Sequence, residues 1–141
     1  MSVFTEAEIA YLQGQTMGRL ATVGPDGRPH IVPLTYVYNP DEDSIDLGGV
    51  DFASGKKWRD AKANPRITFL VDDFAPTEAH AVEIRGDAEL HDEGGAEINP
   101  RFPTFVPQFI RLRPRRIVSW GVNPATGMGD EGFSVSSRRV D

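Results

Sequence analysis

RLATVGPDGRPHIVPLTYVY, residues 19–38, is the stretch that decides the fold of this chain. Two runs rich in β-branched and aromatic residues flank the tetrapeptide GPDG at 24–27, which has a turn-forming residue at every position. The stretch therefore predicts a β-hairpin with strands at 19–23 and 30–38. Because Pro33 cannot donate a hydrogen bond to a neighbouring strand, it places the second strand at a sheet edge or at a bulge.

The rest of the chain adds short strands and two short helices to this hairpin. A capping box, TEAE at 5–8, predicts a helix that ends near Gly14. Pro114 interrupts a long strand and predicts a bulge there. The remaining predictions are strands at 44–47, 66–71 (apolar on both faces), 81–90 (alternating), 109–121 and 133–136, and a helix at 52–63. This pattern is typical of a mainly β protein, an antiparallel barrel with two or three short helices, in a single domain spanning residues 1–141.

Composition narrows the class of partner. The chain has 141 residues, a net charge of −6 and no cysteine, which argues against disulfides, thiolate metal sites and general nucleic-acid binding. No apolar run approaches the roughly 20 residues of a membrane span, and acidic residues near the N-terminus are unlike a signal peptide. We therefore expect a cytoplasmic protein that binds neither membrane nor nucleic acid. Five of the 15 basic residues lie within 56–66 and four within 111–116, a distribution typical of a small-anion binder.

The first basic cluster lies in GGVDFASGKKWRDAKANPR, residues 48–66. Glycines allow a ligand to approach the backbone, Ser54 offers a neutral donor, and Lys56 and Lys57 offer ammonium groups. At the start of a helix, these residues could hold a phosphate. The alternative is a solvated basic helix on a glycine-rich loop, and composition alone slightly favours it.

The other motifs indicate a function less strongly. The G-x-G-x-x-G match at 127–132 lacks the helix and strand that a dinucleotide fingerprint requires, so we interpret it as a glycine-rich turn. The three histidines have no metal-ligand spacing. We interpret His30 as an exposed strand-end residue, since it would face the 48–66 stretch only if the hairpin lay beside that stretch. Alternate arginines at 111–116 could form an anion-binding row or a charged strand face, and Trp120 could be core or an aromatic wall for a planar ligand. With no catalytic acid–base set and no metal site, any reactive chemistry is expected to belong to a cofactor.

Taken together, several segments resemble the pyridoxamine 5′-phosphate oxidase-like superfamily. They are GRLATV at 18–23, DGRPHIVP at 26–33, KWRDAKANPR at 57–66, the strand that ends at Val71-Asp72, and VEIRGDAEL at 82–90. The resemblance spans about residues 5–122 and implies a split β-barrel homodimer with cofactor sites between subunits. The substrate-binding arginine and histidine motif of true pyridoxamine phosphate oxidases is absent, and the chain looks more like the reductases that use the deazaflavin coenzyme F-420.

The resemblance also implies which residues hold the cofactor. Lys57, with Lys56 and Ser54, matches the place of the phosphate-binding cluster. The other matching positions are Val32, Pro33 and Thr35 along the ring system, Gly48 and Gly49 next to the phosphate loop, and Trp120 as an aromatic residue often supplied by the partner subunit. We therefore expect an oxidoreductase that moves a hydride between F-420 and a conjugated small organic acceptor. Two alternatives are an FMN-dependent oxidase or reductase of the same fold and a non-catalytic protein that binds flavin, deazaflavin or haem.

Overall fold

A computed structural model describes residues 1–50, 52, 54–98, 105–124 and 133–140. The elements follow one another along the chain as α1 (Glu6–Gly14), β1 (Met17–Val23), β2 (Pro29–Asn39), β3 (Ser44–Leu47), α2 (Lys56–Ala63), β4 (Arg66–Phe74), β5 (Ala79–His91), a 3₁₀ turn (Gly95–Glu97), β6 (Phe109–Trp120) and β7 (Val135–Arg139). All strand pairings are antiparallel, in the order β3-β2-β1-β4-β5-β6-β7. A further pairing of β3 with β6 closes six strands into a barrel and leaves β7 outside it. The predicted antiparallel barrel with short helices is confirmed.

The core lies inside the barrel and follows from the alternation of side chains along each strand. Leu20 is opposite Phe69, Phe69 is opposite Ile84, and Ile84 is opposite Ile117, on four adjacent strands. All four side chains have 0% exposure. Residues paired across an antiparallel ladder share a face, so this row faces inward together. The residues between them face outward and form the surface on which any ligand must bind.

The hairpin that the sequence predicted is present and longer than expected. Val23 is paired with Pro29 at the turn, where Gly27 has a φ of 79°. Residues 29–35 of β2 pair only with β1, and residues 36–39 pair with β3. Among the described residues, the second edge of 29–35 therefore has no strand partner, and Pro33 lies on this open edge as predicted.

Pro114 lies at a bulge, as predicted, but the strand continues through it. Gly86 is opposite Pro114 while Arg85 is opposite Arg116, so Arg115 has no counterpart on β5. A Cβ on Gly86 would lie 2.0 Å from the carbonyl oxygen of Arg113, so only glycine permits this close approach. The bulge lets β6 pair with β3 before it and with β7 after it.

Other predictions need correction. The second helix begins at Lys56 instead of residue 52, because Gly55 is its N-cap and the segment before it is not helical. The strand β4 buries one face only within this chain, since Ile67, Phe69 and Val71 are buried whereas Thr68 and Leu70 are partly exposed. The last strand begins at Val135, two residues later than expected, and the G-x-G-x-x-G match at 127–132 lies outside the described residues. No helix in the described part of the chain is long and apolar enough to cross a bilayer.

Candidate cofactor site

The first turn of α2 is the most basic helix start in the structure. Its N-cap, Gly55, has no side chain with which to accept hydrogen bonds from the first-turn amides. Lys56 and Lys57 follow directly, and the turn contains no acidic residue. Unsatisfied amides and the helix dipole favour an anion at this position, and the two ammonium groups add to that preference.

Lys57 is held over an aromatic ring. Its Nζ lies 5.0 Å from the centroid of the Phe52 ring, a cation–π distance. Phe52 is fully buried and packs edge-on against Trp58 at 5.7 Å. No ion pair involves Lys57 among the described residues, so its three donors remain available to a phosphate.

Lys56 is bound to a carboxylate within its own helix. Its Nζ donates to both oxygens of Asp60, at 3.1 and 3.0 Å, and Thr22 of β1 donates to the same carboxylate at 3.2 Å. Burial would raise the pKa of Asp60, but these hydrogen bonds and the charges of Lys56 and His30 lower it below its ordinary value. The ammonium of Lys56 is thus partly neutralised, whereas that of Lys57 has no ion pair among the described residues.

The same contacts attach the hairpin to α2. A Cβ on Gly24 would lie 2.6 Å from Oδ1 of Asp60 and 3.4 Å from Nζ of Lys56, so the turn can approach the helix only with glycine at this position. His30, beside the turn, is close enough to act on the pKa of Asp60. The interpretation of His30 as a strand-end residue away from the helix was therefore wrong, because the hairpin lies beside α2.

Gly48 and Gly49 lie where β3 ends, and they pack against aromatic rings. A Cβ on Gly48 would lie 3.1 Å from the ring of Phe105, and one on Gly49 would lie 3.3 Å from the ring of Phe52. The carbonyl oxygen of Gly49 accepts a hydrogen bond from the backbone N–H of Val106 at 3.0 Å. Gly49 is thus next to the ring over which Lys57 lies, whereas Gly48 packs against Phe105.

Ser54 precedes the helix, and its carbonyl oxygen accepts a hydrogen bond from Arg59 at 2.7 Å. This bond closes the turn before α2 and fixes where the backbone enters the helix. The predicted residues Gly48, Gly49, Ser54 and Lys57 therefore lie on one short segment around Phe52.

Val32, Pro33 and Thr35 lie along the open edge of β2, which begins at the turn beside α2. Val32 and Pro33 line a cleft of about 500 Å³ together with Arg19 and Ile31. The hairpin approaches α2 at its turn, through Thr22 and Gly24, whereas the residues that line this cleft lie further along the strands. A shared site of the helix start and the strand edge stays a prediction.

Trp120 lies far from the end of α2 within one chain. It is opposite Ala81 on β5, whereas the end of α2 meets β5 at Ala88, whose N–H bonds the carbonyl of Pro65 at 2.7 Å. The seven residues between Ala81 and Ala88 span roughly 23 Å of strand at about 3.3 Å per residue. The role of Trp120 in cofactor binding stays a prediction.

The arginine row is a set of ion pairs. Arg111 donates to buried Asp46 at 3.0 Å, Arg113 to Glu89 at 3.1 Å, and Arg115 to Asp87 at 2.8 Å. These pairs favour the interpretation of the row as a charged strand face, but a role in protecting a sheet edge does not apply, because β6 lies inside the sheet. The described residues contain no group of three or more side chains that could hold a metal ion.

Sequence reasoning missed Phe52 and Asp60, which decide how the two lysines differ. The spacing of Lys56 and Asp60, four residues apart on a helix, signals their pairing. The contact of Phe52 with Lys57 has no such signal, because it depends on the non-helical segment before α2.

Comparison with known proteins connects this geometry to a family. A family model described as pyridoxamine 5′-phosphate oxidase matches residues 4–120. The chain belongs to this family. A curated relative from Streptomyces rimosus, named 5a,11a-dehydrotetracycline/5a,11a-dehydrooxytetracycline reductase, is 39% identical over 140 residues, which cover 97% of this chain and 93% of the relative. The chain is thus similar to a reductase over nearly its whole length, and we assign it to the oxidoreductases of the pyridoxamine phosphate oxidase family.

Solved structures share the fold. A conserved hypothetical protein from Mycobacterium tuberculosis superposes with a TM-score of 0.67 at 23% identity, over 92% of this chain and 95% of that one. A protein named F420 reductase has a TM-score of 0.63 at 26% identity, over 79% of this chain and 95% of that one. These likenesses confirm the split barrel that the resemblance implied for this pyridoxamine phosphate oxidase family member.

The residues present fit a phosphorylated planar cofactor. A helix start without a side-chain cap, next to the ammonium of Lys57, suits a phosphate. The open edge of β2 presents backbone that no other strand uses among the described residues, and this suits the polar edge of a ring system. A flavin or deazaflavin needs both features together.

Proposed function

We propose that this protein is an F-420-dependent reductase of a conjugated small organic molecule. The observation that carries the proposal is the basic start of α2, where the N-cap has no side chain and Lys57 has no ion pair among the described residues. The likeness to the F420 reductase and the 39% identity to a dehydrotetracycline reductase support the choice of cofactor and of reaction.

Each part of this region has a distinct task. Lys57 and the first-turn amides bind the cofactor phosphate, and Lys56 adds a partly neutralised charge. Gly48, Gly49 and Ser54 shape the loop that carries them. Val32, Pro33 and Thr35 orient the ring against the strand edge, which keeps water from one of its faces.

When bound, the reduced deazaflavin supplies a hydride to the acceptor, which gains one proton from solvent as the cofactor is oxidised. The residues of this chain contribute position and electrostatics. No described side chain near Lys57 is placed as a proton donor, since Asp60 has a lowered pKa and stays ionised.

We also propose a cytoplasmic homodimer. Met17 and Ile31 are 50% and 63% exposed on the outer face of β1 and β2, next to the proposed ring site. Large exposed apolar side chains beside a ligand cleft favour contact with a second subunit. Sedimentation at several protein concentrations tests this point.

Fluorescence titration of the purified apo-protein with F-420 and, separately, with FMN at moderate salt tests the cofactor. We expect tight F-420 binding and weak FMN binding. Tight binding of FMN alone would replace the proposal with an FMN-dependent enzyme. Binding of F-420 without turnover of any electron-poor acceptor would support the non-catalytic alternative, and binding of neither would refute the site.

The substitution Lys57→Ala tests the residue on which the proposal depends. Loss of one charge-assisted hydrogen bond should weaken F-420 binding by about 1–3 kcal/mol, or roughly fivefold to 150-fold. Lys62→Ala is the matched control, since Lys62 is an exposed lysine in the last turn of the same helix. Equal affinities of the two variants would show that net charge, and not the position of Lys57, matters.

A further inference from the structure

A second cleft lies on the outer face of the barrel, away from α2. Its floor is Ala79 and Ala81 of β5, which are opposite Phe74 and Asp72 on β4. On the other side, Ala81 is opposite Trp120 of β6. Since paired residues share a face, two methyl groups lie between the taller aromatic side chains of Phe74 and Trp120. The result is a trough, which we call the alanine groove.

The walls of the alanine groove are unusually exposed. Phe74 is 71% exposed, and Phe133, which also lines the groove, is 44% exposed. The volume of the groove is about 570 Å³, within the roughly 300–1,000 Å³ of small-molecule sites. Three aromatic side chains around a floor of methyl groups match the faces of a flat apolar ring system.

Polar groups lie at the margins of the groove. At one margin, Arg19 donates to Asp72 at 2.5 Å, and this single bond leaves other guanidinium donors of Arg19 for a ligand. At another, Asp73 accepts a hydrogen bond from Tyr11 at 2.5 Å, with Nδ1 of His80 3.7 Å away. A ligand with ring oxygens on its rim would find both donors and acceptors here.

Arg19 connects the alanine groove to the proposed cofactor region. It lines this groove and also the cleft of Val32 and Pro33 on the open edge of β2. The registers place Pro33 opposite Arg19 and Arg19 opposite Leu70, so the two clefts are neighbours on one face. A molecule in the groove therefore lies next to the strand edge along which the cofactor ring is proposed to lie.

We propose that the alanine groove is the acceptor site, and that the acceptor is a flat, conjugated, polycyclic carbonyl compound with oxygens on its rim. The proposal rests on the proposed function and adds the place and the class of the substrate. The rings of the acceptor contact three aromatic side chains, those of Phe74, Trp120 and Phe133. The small side chains of Ala79 and Ala81 leave room for these rings. Arg19 binds an oxygen on the rim of the acceptor. In this arrangement Trp120 contacts the acceptor and not the cofactor phosphate. Its distance from α2 is therefore compatible with a role in the site.

Equilibrium dialysis of the full chain with tetracycline, in EDTA to remove divalent cations, tests the groove without cofactor. Ala81→Leu fills the trough and should weaken tetracycline binding at least about tenfold, because overpacking removes the space for the rings. Phe74→Ala should weaken it about three- to tenfold through loss of one aromatic contact. Ala10→Leu is the matched control, since Ala10 is exposed on α1.

F-420 titration of the same variants separates the two proposals. Weaker tetracycline binding with unchanged F-420 affinity supports both. Tetracycline binding that depends on the groove, in a protein that binds no F-420, supports the groove and refutes the proposed cofactor. The groove proposal is overturned if the parent protein binds no tetracycline, or if Ala81→Leu and Phe74→Ala bind it as well as the parent does.

Discussion

Two corners of this barrel differ in how many hydrogen-bond and ion-pair partners their charged side chains have. At the corner under α1, Glu8 has 0% exposure and accepts hydrogen bonds from Ser119 at 2.6 Å, Asn123 at 2.9 Å and Arg138 at 2.5 Å. At the corner of α2, Lys57 has an aromatic ring beneath it and no ion pair among the described residues. At the first corner the carboxylate of Glu8 has several hydrogen-bond partners, and these bonds stabilise the fold. At the second corner Lys57 keeps N–H donors that a ligand can use.

The corner of Glu8 also joins distant parts of the chain. Glu8 completes the capping box of α1 by accepting from the backbone N–H of Thr5 at 2.9 Å. Arg138, on the outer strand β7, bonds both Glu8 and the carbonyl oxygen of Val3. A single carboxylate therefore attaches the first helix and the last strand to the end of β6.

The largest effect is expected for Glu8→Ala. Removal of this carboxylate leaves Arg138 and Ser119 without their partner and breaks the capping box, so we expect a loss of about 3–5 kcal/mol in the free energy of unfolding. Urea denaturation measures it. Glu6→Ala, in the same turn but exposed, is the control and should cost less than about 1 kcal/mol. Similar losses of unfolding free energy in both variants would show that the hydrogen bonds of Glu8 stabilise the fold no more than an exposed carboxylate does.

Acid should weaken the same corner by about 3 kcal/mol. Burial would raise the pKa of Glu8, but the hydrogen bonds from Arg138, Ser119, Thr5 and Asn123 lower it from 4.5 to about 2. Because the folded pKa is below the unfolded value, the stabilisation is complete above about pH 4.5 and is lost as the pH falls towards 2.

Urea denaturation of the parent and of Glu8→Gln at pH 7 and pH 3 measures this loss. The difference in stability between the two proteins should shrink at pH 3, because the carboxyl group of Glu8 is protonated in the unfolded parent at that pH, whereas the amide does not titrate. A difference that stays constant between the two pH values would contradict the lowered pKa.

The smallest effect is expected for Lys56→Met. Its ammonium is already paired with Asp60, so its removal should weaken F-420 binding only about two- to threefold, well below the loss expected for Lys57→Ala. Titration of the two variants with F-420 under the same conditions compares a lysine that is ion-paired with one that is not. A larger loss for Lys56→Met than for Lys57→Ala would reverse the assigned roles.

The sequence predicted features whose signals are local. The capping box at 5–8, the turn at 24–27, Pro33 on an open edge and Pro114 at a bulge each follow from a few adjacent residues, and the structure confirms them. The start of α2 was predicted four residues early, because the helix begins only after its N-cap, Gly55. Local patterns thus fix element type better than element ends.

Features that depend on distant residues could not be predicted. Glu8 and Arg138 are 130 residues apart, and the partners of the arginine row come from two other segments of the chain, 42–46 and 87–89. The basic start of α2 was visible in the sequence, but the unequal state of its two lysines depends on Thr22 and Phe52. The alanine groove was invisible because its floor and walls lie on strands whose register only the fold sets.

The bulge at Arg115 has a consequence for how this family can diverge. Residues of β6 before the bulge pair with β3 and close the barrel, and residues after it carry β7. The two pairings use separate lengths of one strand, so insertions, deletions or replacement of the outer strand leave barrel closure intact. Phe133, at the rim of the alanine groove, can therefore vary without a change in the pairing that closes the barrel, whereas Arg138 of β7 is held in place by its bond to Glu8.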